Sequence, residues 1–424
     1  MIASLSSALA ALLVLASAPA ASAQAGLCKW CPRVVPTWPA TWSIANSTIV
    51  MPCNSTGLLT PDGLKGWSVV DVDWSNAKSM WVQGKPMDSE MLLLRQAEDI
   101  AAALPSTKTL VYRNIVIAYP WMVSVREKLI DPAFADWFIK FAPLPKNGSY
   151  HVPQCDDNYN PPLCTPFYHS QDQTPGYPRG DGVCPAPACD CGGVPCGFYL
   201  FNHANESLRD WLINDFVMGP TGVGSPAVHG VYLDDHWANA SDPTDAPDCA
   251  SSPIGGPTEV NVGCIADTGL TQAQTTAITD AWRVTMLQLQ RRLIDAGAFS
   301  WAYFTEYAGG APGPSQALCK AFFRNNTLYD LALMMGLAQP MTDASILRDV
   351  ASFLLARGPY AWIGHGWQGC PAAGPGAPPA QLLADYGVPL DNVTESGNGV
   401  FTRHWSKATV QMDCEAWVGS IVWV

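Results

Sequence analysis

Basic side chains are scarce in this sequence, and charged residues of either sign are few. It holds 23 Lys and Arg residues against 36 Asp and Glu, for a formal net charge of -13. A surface of this sign repels nucleic-acid phosphates and anionic lipid headgroups. We therefore expect neither nucleic acid nor a membrane surface as a partner. The composition suits a protein that acts on a neutral ligand.

Long uninterrupted apolar runs are also missing. No stretch after the N-terminal segment reaches the roughly 18 apolar residues that a membrane span requires. Met1 to Ala23 has no charged side chain, runs through the apolar stretch Ala8 to Leu15, and ends in Ala21-Ser22-Ala23. A short apolar stretch followed by small-x-small is typical of a cleaved leader. The pattern predicts a signal peptide over residues 1–23, a mature chain from near Gln24, and secretion.

Cysteine, in contrast, is plentiful. All 14 cysteines follow the predicted cleavage site, and an even number in an oxidising compartment predicts a disulfide framework. Zinc is the alternative for the Cys-x-x-Cys pair near the mature N-terminus and for a later cluster of four, but Pro- and Gly-rich surroundings without a His ligand set disfavour it. These cysteines are Cys28 and Cys31, and Cys184, Cys189, Cys191 and Cys196.

Seven Asn-x-Ser/Thr sequons occur along the chain, as expected of a protein that passes through a glycosylating secretory pathway. The acceptor residues are Asn46, Asn54, Asn147, Asn205, Asn239, Asn325 and Asn392.

Short β-rich runs alternate with helix-like segments over most of the mature chain. This alternation predicts parallel strands joined by helical crossovers, and eight such units predict a (β/α)8 TIM barrel over residues 66–424. The predicted strands are Trp67–Asp73, Lys108–Arg113, Gly197–Asn202, Gly230–Asp234, Phe299–Phe304, Tyr329–Met334, Tyr360–Gly364 and Gly399–Trp405. The predicted helices are Ser89–Ala103, Val123–Phe141, Glu206–Phe216, Gln272–Ala296, Ser315–Phe323 and Asp343–Ala356.

Three segments stand outside this repeat. Residues 24–65 are interpreted as a disulfide-linked N-terminal extension. Residues 143–196 are rich in Pro, Gly and Cys, which predicts a disulfide-held insertion rather than disorder. Residues 238–269 follow the fourth predicted strand and so emerge at the C-terminal end of the barrel. Cys249 and Cys264 could tie this second insert into a lid.

Acidic residues are concentrated where the predicted strands end, which is where barrel enzymes place their chemistry. Side chains alternate along a strand, so Asp234 should point into the barrel mouth and Asp235 should support it. Glu306 follows an apolar Trp-Ala-Tyr-Phe run that would raise its pKa. Two facing carboxyl groups are the minimum equipment for glycoside hydrolysis. We predict Asp234 as nucleophile, Glu306 as acid, and Asp235 as an accessory catalytic residue.

The distance between the two carboxyl groups would indicate the stereochemistry, since about 5–5.5 Å favours retention and roughly 6.5–9.5 Å favours inversion.

Aromatic and polar residues near the other strand ends are candidate contacts for a carbohydrate. The chain has 17 tryptophans, and aromatic faces pack against the C–H faces of sugar rings. Core packing is the alternative for each tryptophan, and structural hydrogen bonding is the alternative for each acid. We predict no cofactor and no metal. The predicted substrate-binding residues are Asp71, Asp73, Trp74, Arg113, His203, Tyr232, Trp237 and Trp367.

Several strings also resemble the barrel of a TIM-barrel glycoside-hydrolase-like family. They are Phe201-Asn202-His203-Ala204-Asn205 with Arg209-Asp210-Trp211-Leu212, then Gly230-Val231-Tyr232-Leu233-Asp234-Asp235, and Gly399-Val400-Phe401-Thr402-Arg403. The resemblance covers roughly residues 67–414. A fourth-strand Asp with a fifth-strand Glu is also similar to the alpha-amylase-type arrangement, which implies the nucleophile role for Asp234 and the acid role for Glu306.

Two other functions remain open at this point. A metal-dependent hydrolase, such as a phosphodiesterase, could use carboxylates and imidazoles as ligands, although the chain lacks a His-x-His or His-Glu-x-x-His spacing. The candidate ligands would be Asp71, Asp73, His203, Asp234 and His236. A non-catalytic carbohydrate-binding or extracellular structural barrel is the second alternative, because a fold does not guarantee an activity.

Overall fold

The computed structural model describes residues 38–141, 165–170, 190–235, 237, 268–302, 314–324, 333–337, 341–367, 369–370 and 376–424. The predicted signal peptide and most of both inserts lie outside the described residues. Glu306 and His236 also lie outside them.

The strands of the described chain, in chain order, are β1 (Thr48–Val50), β2 (Val69–Val72), β3 (Lys108–Asn114), β4 (Ile117–Ala118), β5 (His169–Ser170), β6 (Phe198–Leu200), β7 (Gly230–Asp234), β8 (Phe299–Ala302), β9 (Leu333–Gly336), β10 (Ala361–His365), β11 (Thr394–Glu395), β12 (Val400–Trp405), β13 (Ala408–Asp413) and β14 (Val418–Trp423). The α-helices are α1 (Lys78–Trp81), α2 (Glu90–Ala103), α3 (Val123–Ile130), α4 (Glu206–Trp211), α5 (Gln272–Asp295), α6 (Cys319–Arg324), α7 (Asp343–Ala356) and α8 (Ala380–Leu383).

The central sheet is parallel and strongly curled. Its seven described strands lie in the order β8-β7-β3-β2-β1-β10-β9. Phe299 in β8 and Trp362 in β10 are separated by four strands, yet their ring centroids are only 5.6 Å apart. Trp38 packs against both rings, at 5.7 Å and 5.5 Å. The sheet therefore curves back on itself like a barrel, and these rings fill its interior near the strand starts.

Two predicted barrel strands belong to other sheets. The segment predicted at Gly197–Asn202 forms β6, which lies antiparallel between β4 and β5. The segment predicted at Gly399–Trp405 forms β12 in a four-stranded antiparallel sheet, β11-β12-β13-β14. Only Ser406 and Lys407 separate β12 from β13, and a link that short permits only antiparallel pairing. The complete eight-stranded parallel barrel is thus not formed by the described residues.

The first strand of the curled sheet was missed by the sequence prediction. β1 lies within residues 24–65, which we had interpreted as an extension, and it pairs in parallel with β2 and β10. Three residues are too few to show a periodicity. Thr48, Ile49 and Val50 are nevertheless all buried, as a strand covered on both faces should be.

Most predicted helices are present, with shorter ends in two cases. α2, α5 and α7 follow the predicted bounds within one residue. Capping boxes begin α5 at Thr271 and α7 at Thr342, where each threonine side chain accepts a backbone N–H of the first turn. α3 ends at Ile130 instead of continuing to Phe141, because Pro132 cannot continue the helical hydrogen bonding.

Three disulfides connect described residues. Cys53–Cys370 joins the segments that follow β1 and β10, Cys319–Cys414 joins α6 to the end of β13, and Cys191–Cys196 closes a short loop. Because Cys191 and Cys196 are bonded to each other, they cannot act as zinc thiolates. In the described part of the chain no helix is both long and apolar enough to cross a membrane.

Candidate functional site

Four aspartates gather at the C-terminal ends of β2 and β7, and we call Asp71, Asp73, Asp234 and Asp235 the acid cluster. The pairing register of β2, β3 and β7 explains why these side chains meet. Asp71 lies opposite Leu110, and Asn114 lies opposite Asp234. Laterally paired residues share a face of a sheet, as do residues two apart.

That shared face is the inner one. Phe299 lies opposite Gly230 at the other end of β7, and its ring packs against Trp362 inside the curl. Gly230 and Asp234 are four residues apart on one strand and so face the same way. Asp234 therefore points into the barrel mouth, and the side chains in register with it point inward as well.

Asp234 and Asp235 both join the cluster, although alternation predicted opposite faces. Asp234 Oδ2 accepts a hydrogen bond from Tyr112 Oη at 2.7 Å, and Asp235 Oδ2 accepts one from Asn114 Nδ2 at 2.6 Å. The reason lies in the backbone, because Asp235 adopts a left-handed φ of 55° that ends the strand's alternation. A non-glycine residue in this region costs conformational energy, and such strain is often found at functional sites.

Burial dominates the electrostatics of this pair. Removal from water raises the pKa of Asp234, while the Tyr112 hydroxyl and the Asp235 backbone N–H oppose that rise by stabilising the carboxylate. The pKa of Asp235 is held well above its usual range by burial and by the Asp234 charge. Two close carboxyl groups resist double ionisation, so the pair favours a state in which one of them is protonated.

Asp71 and Asp73 extend the cluster toward β2. Asp71 is fully buried and neither carboxyl oxygen has a hydrogen-bond partner among the described residues. Burial and repulsion from Asp73 and Asp234 hold its pKa well above the usual range, although the Val72 backbone N–H and the Arg113 charge oppose that rise. Asp73 Oδ1 accepts a 2.7 Å bond from the Ser75 backbone N–H, yet burial still raises its pKa to about 6.

Asn114 and two tyrosines organise the cluster, and the sequence analysis missed all three. Asn114 Nδ2 also contacts the hydroxyls of Tyr112 and Tyr119, each at 3.2 Å. Its Oδ1 accepts the backbone N–H groups of Val116 and Ile117, which fixes the amide. The available signal was the alternation of Tyr112 and Asn114 at the end of β3, on either side of the more conspicuous Arg113.

A group of stacked rings borders the acid cluster, and we call Trp74, Trp81, Tyr119 and Trp121 the aromatic wall. Trp74 lies 5.3 Å from Tyr119 and 5.2 Å from Trp121 between ring centroids. Trp74 is half-buried, whereas the other three are buried. Trp74 is therefore the member of the wall best placed to meet a ligand.

Arg113, a predicted substrate contact, lies outside the acid cluster. Its side chain is on the opposite face of β3, where it donates to the carbonyl oxygens of Phe216 at 3.0 Å and Thr221 at 2.6 Å. The Glu90 carboxylate lies 4.0 Å from its guanidinium, and both side chains are buried. These contacts make Arg113 part of the packing between the sheet and the surrounding helices.

His203 is also a core residue rather than part of the cluster. It is completely buried, with Nε2 at 2.6 Å from the Ile115 carbonyl oxygen and Nδ1 at 3.1 Å from Thr285 Oγ1. Burial lowers the pKa of His203 to about 4, so the ring is neutral at physiological pH. Both ring nitrogens are occupied, which leaves neither for a substrate or a metal.

The three remaining predicted substrate contacts differ in their burial. Tyr232 is buried with its ring 5.9 Å from that of Tyr112, so it supports the floor of the cluster. Trp237 is fully buried, while Trp367 is 51% exposed. Glu306, the predicted acid, lies outside the described residues, as does its distance from Asp234.

One group of potential metal ligands occurs in the described part of the chain. Among the described residues, the three-residue group whose potential ligand atoms lie within 4.8 Å of one another is Cys53, Asp73 and Cys370. Its two cysteines form a disulfide and offer no thiolate. Of the metal ligands considered from the sequence, His203 is committed elsewhere and His236 lies outside the described residues.

Two cavities lie away from the acid cluster. One of about 520 Å³ is lined by Trp38, Trp67 and Trp362 near the strand starts. The other, of about 450 Å³, is lined by Phe138, Asn202 and other residues beside the three-stranded sheet of β4, β6 and β5. None of the four acids lines either cavity, so neither provides the carboxyl groups that hydrolysis would need.

The sequons differ in their surroundings. Asn46 and Asn392 are exposed, while Asn54 and Asn205 are half-buried. Asn205 also caps α4 by accepting the Leu208 N–H. Asn147, Asn239 and Asn325 lie outside the described residues.

Comparisons with known proteins give only distant similarities. No protein-family model and no curated protein matches the chain. Sucrose 6F-phosphate phosphorylase from Thermoanaerobacter thermosaccharolyticum is similar with 9% identity and a TM-score of 0.41, covering 90% of this chain and 96% of that one. The Nostoc punctiforme debranching enzyme has 10% identity and a TM-score of 0.39, covering 90% and 91%.

Other similar structures are larger than this chain. An alpha-glucosyl transfer enzyme has 14% identity and a TM-score of 0.34, covering 77% of this chain and 60% of that one. Trehalose-6-phosphate hydrolase from Bacillus licheniformis has 11% identity and a TM-score of 0.33, covering 78% and 58%. The chain thus spans about three-fifths of the length of these two proteins. Similarities this low do not indicate what this chain binds or cleaves.

Proposed function

We propose that this protein is a secreted enzyme that cleaves glycosidic bonds with a pair of carboxyl groups. The observation that carries the proposal is the acid cluster at the C-terminal ends of β2 and β7, beside the aromatic wall. Carboxyl groups supply the proton donor and the nucleophile or base of glycoside hydrolysis. A ring stacked on Trp74 would place a sugar next to them.

Asp234 is the proposed nucleophile. It is only partly buried, so a substrate can reach it, and the Tyr112 hydroxyl and the Asp235 N–H fix its two oxygens. Both contacts stabilise the ionised form. Asp235, bonded to Asn114, has the supporting role of holding a second carboxyl beside it.

Glu306 is the proposed acid, on the strength of its position after β8. This strand is the direct neighbour of β7, and adjacent parallel strands deliver their C-terminal residues to the same end of a sheet. The assignment of retention or inversion follows from the products, because a retaining enzyme releases the same anomer that it cleaves.

A glycan-hydrolysis screen with the secreted, disulfide-bonded chain tests the proposal. We expect Asp234→Asn and Glu306→Gln each to lower kcat by about 10²–10⁴-fold, with near-ultraviolet circular dichroism unchanged. Asp99→Asn is the matched control, since Asp99 is an exposed aspartate on α2 and its replacement should leave the rate unaltered.

Three outcomes would contradict the proposal. Glycan binding without turnover, unaffected by either carboxylate substitution, would indicate a non-catalytic carbohydrate-binding barrel. Loss of activity on chelation, restored by a divalent cation, would indicate the metal-dependent hydrolase. Full activity of Asp234→Asn would remove that residue from the chemistry.

A further inference from the structure

The acid cluster has no direct ion-pair partner among the described residues. None of its four aspartates forms an ion pair with a described Lys, Arg or His; the described ion pairs all lie elsewhere. Arg113 influences Asp71 only from the opposite face of β3. Lys78 influences Asp73 weakly from α1.

The surroundings of Asp71 are a second indication of a ligand, separate from the lack of ion pairs in the acid cluster. It is 0% exposed, and both of its carboxyl oxygens lack a hydrogen-bond partner among the described residues. Its register with Leu110 directs it to the inner face that also carries Tyr112 and Asp234. A buried acceptor without a partner is costly, so a ligand that donates hydrogen bonds there would offset that cost.

The aromatic wall favours the same type of ligand. Trp74 already lies beneath a cation, with Lys78 Nζ 5.0 Å from its ring centroid. Tryptophan faces attract ammonium groups as well as the C–H faces of sugar rings. Trp74 also lies 6.3 Å from Tyr112 between ring centroids, and Tyr112 donates directly to Asp234. The aromatic surface and the carboxyl groups are therefore neighbours.

We propose that the sugar recognised at this site carries a protonated amine, whose ammonium group is held by Asp71 and its neighbouring carboxyl groups while the ring stacks on Trp74. This inference rests on the proposed function, since it names the substrate class of the same site. It departs from the neutral ligand suggested by the overall composition. An ammonium group supplies both missing features, namely the compensating charge and the hydrogen-bond donors.

Proton release should accompany binding of such a ligand. The titratable and charged groups gathered around the proposed ammonium position are Asp71, Asp73, Asp234, Asp235, Tyr112, Tyr119 and Lys78. Burial raises the pKa values of all four carboxyl groups, that of Asp73 to about 6. A cation favours their ionised forms, so its binding expels protons and strengthens as the pH rises toward about 6.

The test compares amino sugars with their N-acetylated counterparts, which lack the positive charge and carry an added acetyl group. Tetrasaccharides of glucosamine and of galactosamine, and their fully N-acetylated counterparts, are titrated into the full disulfide-bonded chain by calorimetry in two buffers of different ionisation enthalpy. We expect one of the free amines to bind at least tenfold more tightly than its acetylated form at low salt. Its binding should release protons and weaken as salt screens the carboxylates.

Variants separate the site from a general attraction to an acidic protein. Asp71→Asn keeps the size of the side chain and removes its charge, and it should lower the affinity for the amine about tenfold while leaving the acetylated ligand unaffected. Asp99→Asn removes an exposed charge and should change neither affinity.

Equal or tighter binding of both acetylated ligands, or equal losses in Asp71→Asn and Asp99→Asn, would overturn the inference. Cleavage of a neutral glycan that depends on Asp234, without preference for the amine, would overturn the inference alone. Selective amine binding without cleavage of any glycan would instead overturn the proposed function and leave the inference standing.

Discussion

Replacing Asp73 by Asn should stabilise the folded chain at neutral pH and have little effect in acid. Asp73 is 2% exposed, and burial raises its pKa to about 6 from an ordinary value of 3.8. Asn has the same shape, and its Oδ1 can still accept the 2.7 Å bond from the Ser75 N–H. The substitution therefore removes the ionisation and keeps the local structure.

The magnitude follows from proton linkage. Between pH 3.8 and pH 6 the folded state binds more protons at Asp73 than the unfolded state does, so rising pH favours unfolding of the wild type. A difference of about two pKa units, at about 1.4 kcal/mol per unit, corresponds to about 3 kcal/mol. That penalty is below about 1 kcal/mol at pH 4 and is fully present above pH 6.

Urea unfolding of wild type and Asp73→Asn, followed by tryptophan fluorescence from pH 4 to pH 8, measures the effect. The unfolding free energies of the two proteins should nearly coincide at pH 4 and diverge to about 3 kcal/mol by pH 7, with Asp73→Asn the more stable. Asp99→Asn should follow the wild type at every pH. A difference that is independent of pH, or one that favours wild type at pH 7, would refute the reasoning.

Two further substitutions separate the acid cluster from its support. Tyr112→Phe removes the hydrogen bond that stabilises ionised Asp234, a contact worth about 1.5–3 kcal/mol. The acidic limb of the kcat/KM profile should therefore move up by about 1–2 pH units; an unchanged limb would contradict Asp234 as the group that must ionise. Arg113→Met removes the buried guanidinium that lies 4.0 Å from the Glu90 carboxylate and should lower the unfolding free energy by about 3–5 kcal/mol. Its kcat/KM, measured on the folded enzyme at low temperature, should stay near the wild-type value; a large loss would return Arg113 to the active site.

The parallel part of the fold was accessible from the sequence because buried strands leave a strong local signal. β2, β3, β7 and β10 are short runs of β-branched and aromatic residues, and each was predicted within two residues at either end. Sheet membership was less accessible. β6 and β12 have the same local composition, but their partners depend on contacts with residues far along the chain, which composition does not specify.

The candidate site was predictable to a similar degree. The structure brings Asp71, Asp73 and Asp234 together, as expected of strand ends at one end of a parallel sheet. Asp235 departed from the expected alternation because a single left-handed residue redirected its side chain. Arg113 and His203 were assigned to the site from their chemistry alone, whereas burial and backbone carbonyl partners place them in the packing.

The Cys53–Cys370 bridge ties two segments that are far apart in the sequence beside the acid cluster. Its sulfur atoms lie within 4.8 Å of an Asp73 carboxyl oxygen, and the bridge closes a loop with a sequence separation of 317 residues. Closing a loop of that size restricts the unfolded ensemble by about 6 kcal/mol in the chain-entropy description. A chain held in a reducing compartment would lack this tie beside Asp73. Reduction of the bridge would therefore loosen the segments after β1 and β10 beside the acid cluster.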